Sequence, residues 1–148
     1  MTWKPHATVA AVIEENGKFL LVEEHVDGKN VYNQPAGHLE ANESFINAVI
    51  RETEEETATI FQPDYLIGLY RWVLTAKDRT YLRLCFGGKL TERLENQALD
   101  PDIIRTHWLT YDEIIAKRDS LRSPLVLECI DDYRSGKHYP LELLKDLE

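Results

Sequence analysis

The sequence predicts a mixed α/β (α+β) fold, in which helices flank a mixed sheet. Residues 80–90 alternate in character with the two-residue period of a strand, whereas residues 42–57 place apolar side chains at helical spacing. Strand-like and helical segments follow one another along 148 residues without a repeat, a low-complexity segment or a linker. A single domain over residues 1–148 is therefore expected, because this length is sufficient to bury one core.

Short strands joined by tight turns are expected in the first part of the chain. Residues 8–15 and 18–24 are rich in β-branched and apolar side chains, and Asn16-Gly17 between them favours a hairpin turn. Another short strand is expected at residues 31–34. Pro35-Ala36-Gly37 should end regular structure after it.

Helices and longer strands are expected in the rest of the chain. Asn42 is expected to cap the first helix, with Glu43 in its first turn. Two longer strands should then follow at residues 65–75 and 80–90, and an exposed loop at residues 91–101. A further strand is expected at residues 103–109 and a short helix at residues 111–117. Ser123-Pro124 should start the last helix, and Gly136 should end it.

The composition excludes several classes of protein. A net charge of -9 disfavours general binding to long nucleic acid or to an anionic membrane, and a nucleotide ligand would need local cations at its site. Cys85 and Cys129 form no CxxC pattern, which favours two reduced core residues. The sequence has no signal-peptide pattern, and no apolar run approaches the about 18 residues of a membrane span. A cytoplasmic protein is therefore expected.

Three glutamates in the first helix are the main functional signal. Glu52, Glu55 and Glu56 fall within an arc of about 100° on one helix face. They lie toward the helix C-terminus, where the macrodipole opposes negative charge, and Glu52 and Glu56 repel each other as an i, i+4 pair. Arg51 offsets part of this repulsion through its i, i+4 partner Glu55, whereas Glu54 points away and is interpreted as solvated.

A divalent metal would explain this acidic face. Gly37, which follows Pro35 and Ala36, would bring a backbone carbonyl close to the helix, and hard cations prefer carboxylate and carbonyl oxygens. The spacing therefore predicts a metal site formed by Gly37, Glu52, Glu55 and Glu56. A solvated charged face remains the alternative at this point.

The same segment resembles the Nudix box, whose fixed positions occur here at the required spacing as Gly37, Glu43, Arg51, Glu52, Glu55 and Glu56. Thr53, Ala58 and Thr59 depart from the pattern of the family, but none of these positions carries its metal chemistry. Similarity to a bacterial group of phosphatases in this family extends over nearly the whole chain, including KPHATVAAVI, NQPAGHLEANES, Arg71-Trp72 and LRSPLVLECIDDYRSGKHYPLELL. The resemblance implies a Nudix-type α/β/α sandwich.

The resemblance also implies an activity. The related group is small, monomeric and magnesium-dependent, and it hydrolyses nucleoside di- and triphosphates and thiamine-pathway pyrophosphates. Carried over to this chain, Glu52, Glu55, Glu56 and the Gly37 carbonyl would hold Mg²⁺, with Mn²⁺ as the alternative ion, and a metal-activated water would attack phosphorus. Arg51 would orient Glu52 or Glu55. For Glu43, a helix-start charge and a role near the metal are both open.

The general base is less well determined. Glu52 or Glu55 is a candidate, and Asp102 is the best candidate outside the helix, because related enzymes often carry an acid there that completes the metal site. Glu92, Glu95 and Asp100 are nearby alternatives, and a merely solvated loop acid is also open for each.

Substrate contacts are weakly encoded in the sequence. Arg83 lies on the strand face opposite the aliphatic residues and is a candidate for a phosphate contact, with a plain surface position as the alternative. His38 is a second phosphate candidate, and candidates for stacking on a ring are Tyr32, Trp72 and Trp3. Core or rim positions are open for these rings, and Trp108 is interpreted as core.

Two rival functions need different chemistry. A non-catalytic nucleotide-sensing domain of the same fold would be free to lose the intact glutamates. A two-carboxylate glycosidase would need an acid of raised pKa in a carbohydrate cleft, and nothing in the sequence favours one. A magnesium-dependent hydrolase that acts on small nucleotide or pyrophosphate substrates is therefore the predicted function.

Overall fold

Residues 2–147, which the computed structural model describes, form two sheets and three α-helices. The elements are β1 (His6–Val12), β2 (Glu14–Glu15), β3 (Lys18–Val26), β4 (Lys29–Asn33), β5 (Ala36–His38), α1 (Phe45–Thr57), β6 (Thr59–Leu74), β7 (Arg79–Arg93), β8 (Ile103–Thr110), α2 (Tyr111–Ala116) and α3 (Leu125–Arg134). No helix among these residues is long and apolar enough to cross a membrane.

The first sheet is mixed, as the sequence predicts. Its strand order is β5-β1-β7-β6, with a parallel pair between β1 and β7 and antiparallel pairs on either side. The second sheet is antiparallel and is built around β3, which pairs with β2, β4 and β8. The short strand β5 therefore forms one edge of the first sheet.

Helices cover both faces of the first sheet. On one face, Ala48 and Val49 of α1 pack with Val9 and Phe86 in a buried cluster. On the other face, α3 packs against Ala10 and Cys85 in a second buried cluster. This arrangement confirms the α/β/α sandwich. Cys85 and the α3 residue Cys129 are free, buried thiols, as expected for reduced core cysteines.

The first hairpin is confirmed, but its first strand is divided between the two sheets. Asn16 and Gly17 both have positive φ, 53° and 78°, as the turn signal requires. The strand expected at residues 8–15 breaks at Ile13, so β1 pairs in the first sheet and β2 pairs in the second. Its side chains are buried up to this break, because β1 lies inside the mixed sheet.

Two boundary predictions near the acidic helix are wrong. Pro35-Ala36-Gly37 does not end regular structure, because Ala36 and Gly37 continue into β5 and pair with β1. Asn42 does not cap α1; it lies in the preceding turn with φ 61°, and Ser44 caps the helix by accepting the amide of Asn47. Glu43 therefore precedes the helix instead of lying in its first turn.

The later elements follow the prediction with longer strands. Strand β6 begins at Thr59 directly after α1, and β7 runs to Arg93, so the exposed loop is shorter than expected. Strand β8 and α2 occupy their expected positions. At the last helix, Ser123 Oγ accepts the Leu125 amide, and Gly136 follows the helix end with φ 84°.

Ala58, at the position where the family pattern has glycine, gives a stability prediction. It ends α1 in the left-handed conformation, with φ 55° and ψ 39°, and donates its amide to Glu54 O. Because a Cβ is disfavoured there, we expect Ala58→Gly to raise the free energy of unfolding by about 1 kcal/mol in urea titrations. Ala76→Gly, at an exposed turn residue without positive φ, should not stabilise the protein. Equal or lower stability of Ala58→Gly would contradict this account.

Candidate active site

The carboxylate of Glu52 lies directly against the backbone of Gly37. A Cβ added to Gly37 would stand 2.1 Å from Glu52 Cδ and 2.3 Å from each carboxylate oxygen. No side chain larger than hydrogen fits there without displacing Glu52. The pairing of β5 with β1 and the packing of α1 across the same sheet bring these two residues together.

Arg51 connects the acidic helix face to the segment before it. Its Nη1 donates to Glu52 Oε1 at 2.8 Å and to both oxygens of Glu55 at 3.2 Å. Its Nη2 also donates to the His38 carbonyl at 3.1 Å. Arg51 therefore contacts both of the carboxylates that the sequence predicts it would orient.

Glu43 supplies the principal ion pair of Arg51. Its carboxylate accepts from Arg51 Nε at 2.6 Å and from Nη2 at 3.0 Å, and one oxygen also accepts the Glu40 amide. The hydrogen bonds from Arg51 hold the pKa of Glu43 below its usual range, against the opposing effect of burial. Glu43 thus lies before α1 and reaches Glu52 and Glu55 through Arg51.

Glu56 is the most buried of the three glutamates. It is 8% exposed, and one carboxylate oxygen accepts the Ala36 amide at 2.9 Å. Burial raises its pKa to about 9, the Ala36 hydrogen bond opposes this rise, and repulsion from Glu24, Glu52 and Asp100 adds to it. Burial also raises the pKa of Glu52, although Arg51 opposes that shift. The site therefore brings carboxyl groups together where burial disfavours their ionised forms.

Within residues 2–147, no group of three or more His, Cys, Asp or Glu side chains is arranged around a common point that could hold a metal ion. The contacts of the glutamates give the reason. Glu52 and Glu55 share one guanidinium of Arg51, while Glu56 is directed to the Ala36 amide. The oxygens nevertheless belong to one helix face and the strand edge beside it.

Two acids of the loop between β7 and β8 lie near the site. Asp100 donates its amide to the Glu55 carbonyl at 2.7 Å, and its charge contributes to the raised pKa values of Glu52 and Glu56. Asp102 is exposed, and its charge acts on Glu24. The charge of Asp100 therefore acts on Glu52 and Glu56, whereas the charge of Asp102, the candidate preferred from the sequence, acts on Glu24.

Glu24 is a site residue that the sequence analysis missed. It lies in β3, pairs with Arg122, and contributes to the raised pKa of Glu56 although the two residues are far apart in sequence. Burial raises the pKa of Glu24 itself. Only the tertiary fold brings Glu24 and Glu56 close, so no local pattern could have indicated Glu24.

Arg83 is a buried residue. It is 5% exposed, donates to Gln34 Oε1 at 2.9 Å and to Asn33 Oδ1 at 3.3 Å, and leaves its buried Nε without a partner. Its strand β7 is covered on both faces, because α1 and α3 pack on opposite sides of the sheet. The surface alternative for Arg83 is therefore wrong.

The other predicted substrate residues lie on different sheets. Tyr32 packs at the second sheet, with its ring 5.3 Å from that of His107 and 5.1 Å from Lys117 Nζ. Trp72 and His38 lie on the first sheet in partly exposed and exposed positions. The structure thus places His38 and Trp72 on the same sheet as Arg83, but not Tyr32.

The family follows from a match that covers most of the chain. A protein-family model described as NUDIX domain matches residues 3–128. The chain therefore belongs to the Nudix family, and its fold and Nudix-box residues agree with this membership. Phosphatase NudJ from Escherichia coli (strain K12) and from Shigella boydii serotype 4 (strain Sb227) is 46% identical over 145 residues, covering 97% of this chain and 93% of each relative.

Solved structures agree with this assignment. The NUDIX hydrolase from Nitrosomonas europaea is 48% identical and superposes with a TM-score of 0.95, covering 97% of this chain and 98% of that chain. The NUDIX domain of Shewanella oneidensis NrtR, solved in complex with ADP ribose, shows the same fold with a TM-score of 0.73 at 16% identity, covering 90% and 89% of the two chains. The protein is therefore a Nudix hydrolase, an enzyme that hydrolyses pyrophosphate linkages.

The contact between Glu43 and Arg51 gives a prediction about catalysis. Glu43→Gln removes the charge that anchors the guanidinium, so Arg51 should no longer hold Glu52 and Glu55 in one geometry. We expect about 10- to 100-fold lower kcat/KM with a native-like melting temperature.

Glu40→Gln is the matched control for this prediction. Glu40 approaches the same guanidinium at 3.3 Å, but its side chain is 64% exposed, whereas that of Glu43 is 13% exposed. Because exposed ion pairs contribute little, kcat/KM should stay within about twofold of wild type. Equal losses for the two variants would contradict the positioning role of Glu43.

Proposed function

We propose that the protein hydrolyses nucleoside di- and triphosphates and related pyrophosphates, including those of the thiamine pathway, with Mg²⁺ or Mn²⁺ as cofactor. The observation that carries the proposal is that Glu52 lies against Gly37 and Glu56 accepts the Ala36 amide of the same edge strand, while Arg51 links Glu52 to Glu55. The similarity to NudJ phosphatases supports the choice of a phosphate substrate.

The donor set fits a hard divalent cation. Carboxylates and a backbone carbonyl are the ligands that Mg²⁺ prefers. Burial raises the pKa of Glu56, and repulsion from Glu24, Glu52 and Asp100 adds to this rise, so a bound cation would stabilise the ionised carboxylate. The Gly37 carbonyl and the carboxylates of Glu52, Glu55 and Glu56 would hold the ion. When bound, the metal would supply charge neutralisation at the phosphate oxygens and acidify the attacking water.

The protein residues then have separate roles. Arg51 fixes Glu52 and Glu55, because its guanidinium contacts both carboxylates. Glu52 or Glu55 takes the proton of the attacking water as general base, with Asp102 as the candidate from the loop. Asp100 also belongs among the candidates, since its charge acts on Glu52 and Glu56.

Substrate contacts are proposed on the first sheet. Arg83 would attract the phosphates, because its buried guanidinium donates to the amide oxygens of Gln34 and Asn33 and pairs with no carboxylate within residues 2–147. His38 follows Gly37 directly and would lie beside the phosphates, and Trp72 would contact a ring of the substrate. Tyr32 lies farther from this group, and its ring would act at the rim of the site.

Neighbouring glutamates on α1 provide a test of this function. Glu55→Ala should abolish magnesium-dependent turnover while leaving the melting temperature unchanged. The substrate panel should contain nucleoside di- and triphosphates and thiamine-pathway pyrophosphates, and phosphate and pyrophosphate release should be measured separately. The result would also identify the bond that is cleaved.

Glu54→Ala is the matched control, because Glu54 is adjacent in sequence and its side chain makes no hydrogen bond or ion pair within residues 2–147. It should retain wild-type kcat. Wild-type kcat in a folded Glu55→Ala, or turnover that resists EDTA, would contradict the proposed metal site.

The burial of Glu56 gives a prediction about stability and pH. Folding raises its pKa from 4.5 to about 9, so between these values the native state keeps a proton that the unfolded chain releases, and stability falls as pH rises. In EDTA at pH 8, Glu56→Gln should therefore be more stable by on the order of 2 kcal/mol in urea titrations. Its amide oxygen can still accept the Ala36 amide.

The pH profile and the metal response test this explanation. Near pH 4 the advantage of Glu56→Gln should vanish, because Glu56 is then protonated in both states. Added Mg²⁺ should raise the melting temperature of the wild type more than that of the variant. Identical pH profiles for the wild type and Glu56→Gln would show that this carboxylate carries no burial penalty.

A further inference from the structure

The second half of β6 leaves one edge of the first sheet unpaired. Leu66 pairs with Phe86 of β7 on one side and with Tyr139 on the other, where each backbone N–H···O distance is 2.8 Å. After this bridge, residues 68–74 pair with β7 alone among the described residues. Their outward-facing amides and carbonyls are therefore available to another strand.

The two halves of β6 differ in how the edge is protected. Sheet edges are usually blunted by proline, by charged side chains and by β-bulges. The first half of β6 contains Pro63 and Asp64, and its register with β7 shifts three times. By contrast, residues 68–74 pair regularly, and Arg71 is the only charged residue within residues 65–76. The second half of β6 is thus a regular edge with little protection.

Aliphatic side chains are exposed along the same edge. Leu69 is 69% exposed and Val73 is 42% exposed, and both lie on one face of the strand because they are four residues apart. A cavity of about 430 Å³ lies beside Leu69 and is also lined by Tyr139 and the exposed Leu143 of the C-terminal segment. The edge of β6 and this segment therefore border one apolar groove, the edge groove.

A second copy of this chain fits the edge geometrically. Two identical strands that pair in antiparallel fashion are related by a two-fold axis, so each copy supplies the donors and acceptors that the other needs. Seven paired residues extend over about 23 Å. Together with residues 137–147, the edge approaches the about 20 residues per partner of a standard interface.

Charge also favours this contact over other surfaces of the protein. Two copies with a net charge of -9 repel each other wherever acidic surfaces meet, but residues 65–76 contain no acid. Antiparallel pairing brings Arg71 of one copy toward the Leu66 end of the other copy, where the C-terminal segment carries Glu142 and Asp146. The one cation of each edge then approaches acids of the other copy.

We propose that the protein forms a two-fold symmetric dimer, in which residues 68–74 of two copies pair as antiparallel strands. Leu69, Val73 and the edge groove become buried between the copies. The two four-stranded first sheets join into one continuous sheet. Because the glutamates lie beside β5, at the opposite end of the strand order, this inference is independent of the proposed function.

The test measures the mass of the full chain by sedimentation equilibrium at about 1 to 300 μM, a range that covers a weak interface. The family resemblance implies a monomer, so the two expectations differ. We expect the mass to rise from one chain to two with concentration. In hydrogen exchange, peptides from residues 68–74 should exchange several-fold more slowly at the highest concentration, whereas peptides from β8 should not change.

Leu69→Lys and Val73→Lys place a charge at the edge without altering the core, because both side chains are exposed. Each should raise the dissociation constant of the dimer by at least about 10-fold and keep the circular dichroism spectrum of the wild type. Ile104→Lys is the matched control, since Ile104 is an aliphatic residue of β8 in the second sheet and is 39% exposed. It should dimerise like the wild type.

Two outcomes would overturn the proposal. In the first, the wild type keeps the mass of a single chain over the whole concentration range, which would leave the edge to an extended segment of a different protein. In the second, folded Leu69→Lys and Val73→Lys both dimerise with wild-type affinity, which would locate the interface elsewhere.

Discussion

A single guanidinium holds the acidic helix face together. Arg51 donates to Glu43, Glu52, Glu55 and the His38 carbonyl, and so joins α1, the segment before it and the edge strand β5. Without this cation, the carboxylates on one helix face would repel each other. Each would also interact unfavourably with the negative end of the helix dipole. The effect extends to the fold, because these contacts fix the approach of α1 to the edge of the sheet.

The fold supports this interaction through two close approaches. The pairing of β5 with β1 presents Gly37 to Glu52, where the absence of a Cβ permits contact with the carboxylate. One residue earlier, the Ala36 amide is bonded to Glu56 instead of water. The amide of Ala36 can make this bond because β5 is an edge strand. In an interior strand, the same amide would be used for pairing with a neighbouring strand. The same short strand thus holds two glutamates one helical turn apart.

Local features of the sequence were predictable and long-range ones were not. The turn at Asn16-Gly17 and the helix face of the Nudix-box glutamates depend on residues that are close in sequence. Their spacing was therefore sufficient to predict the turn and the shared helix face. Asn42 was predicted as the helix cap, whereas Ser44 caps the helix; both side chains are suitable caps, and only the turn geometry separates them. The strand β5 and the proximity of Glu24 depend on contacts between residues that are distant in sequence. Alternation along β7 predicted the face of Arg83 but not its burial, which depends on α3.

Opposite charges are buried at different strands of the first sheet. Glu52 and Glu56 lie beside the edge strand β5, and burial raises the pKa values of their carboxylates, while Arg83 in the interior strand β7 donates to two amide oxygens and pairs with no carboxylate among the described residues. The carboxylates and the Arg83 guanidinium do not neutralise each other, because each is bonded to other residues of the fold. A metal ion alone would satisfy the first group, and an anion alone would satisfy the second. A metal–pyrophosphate complex carries both charges, which explains how a protein with a net charge of -9 can bind a polyanion.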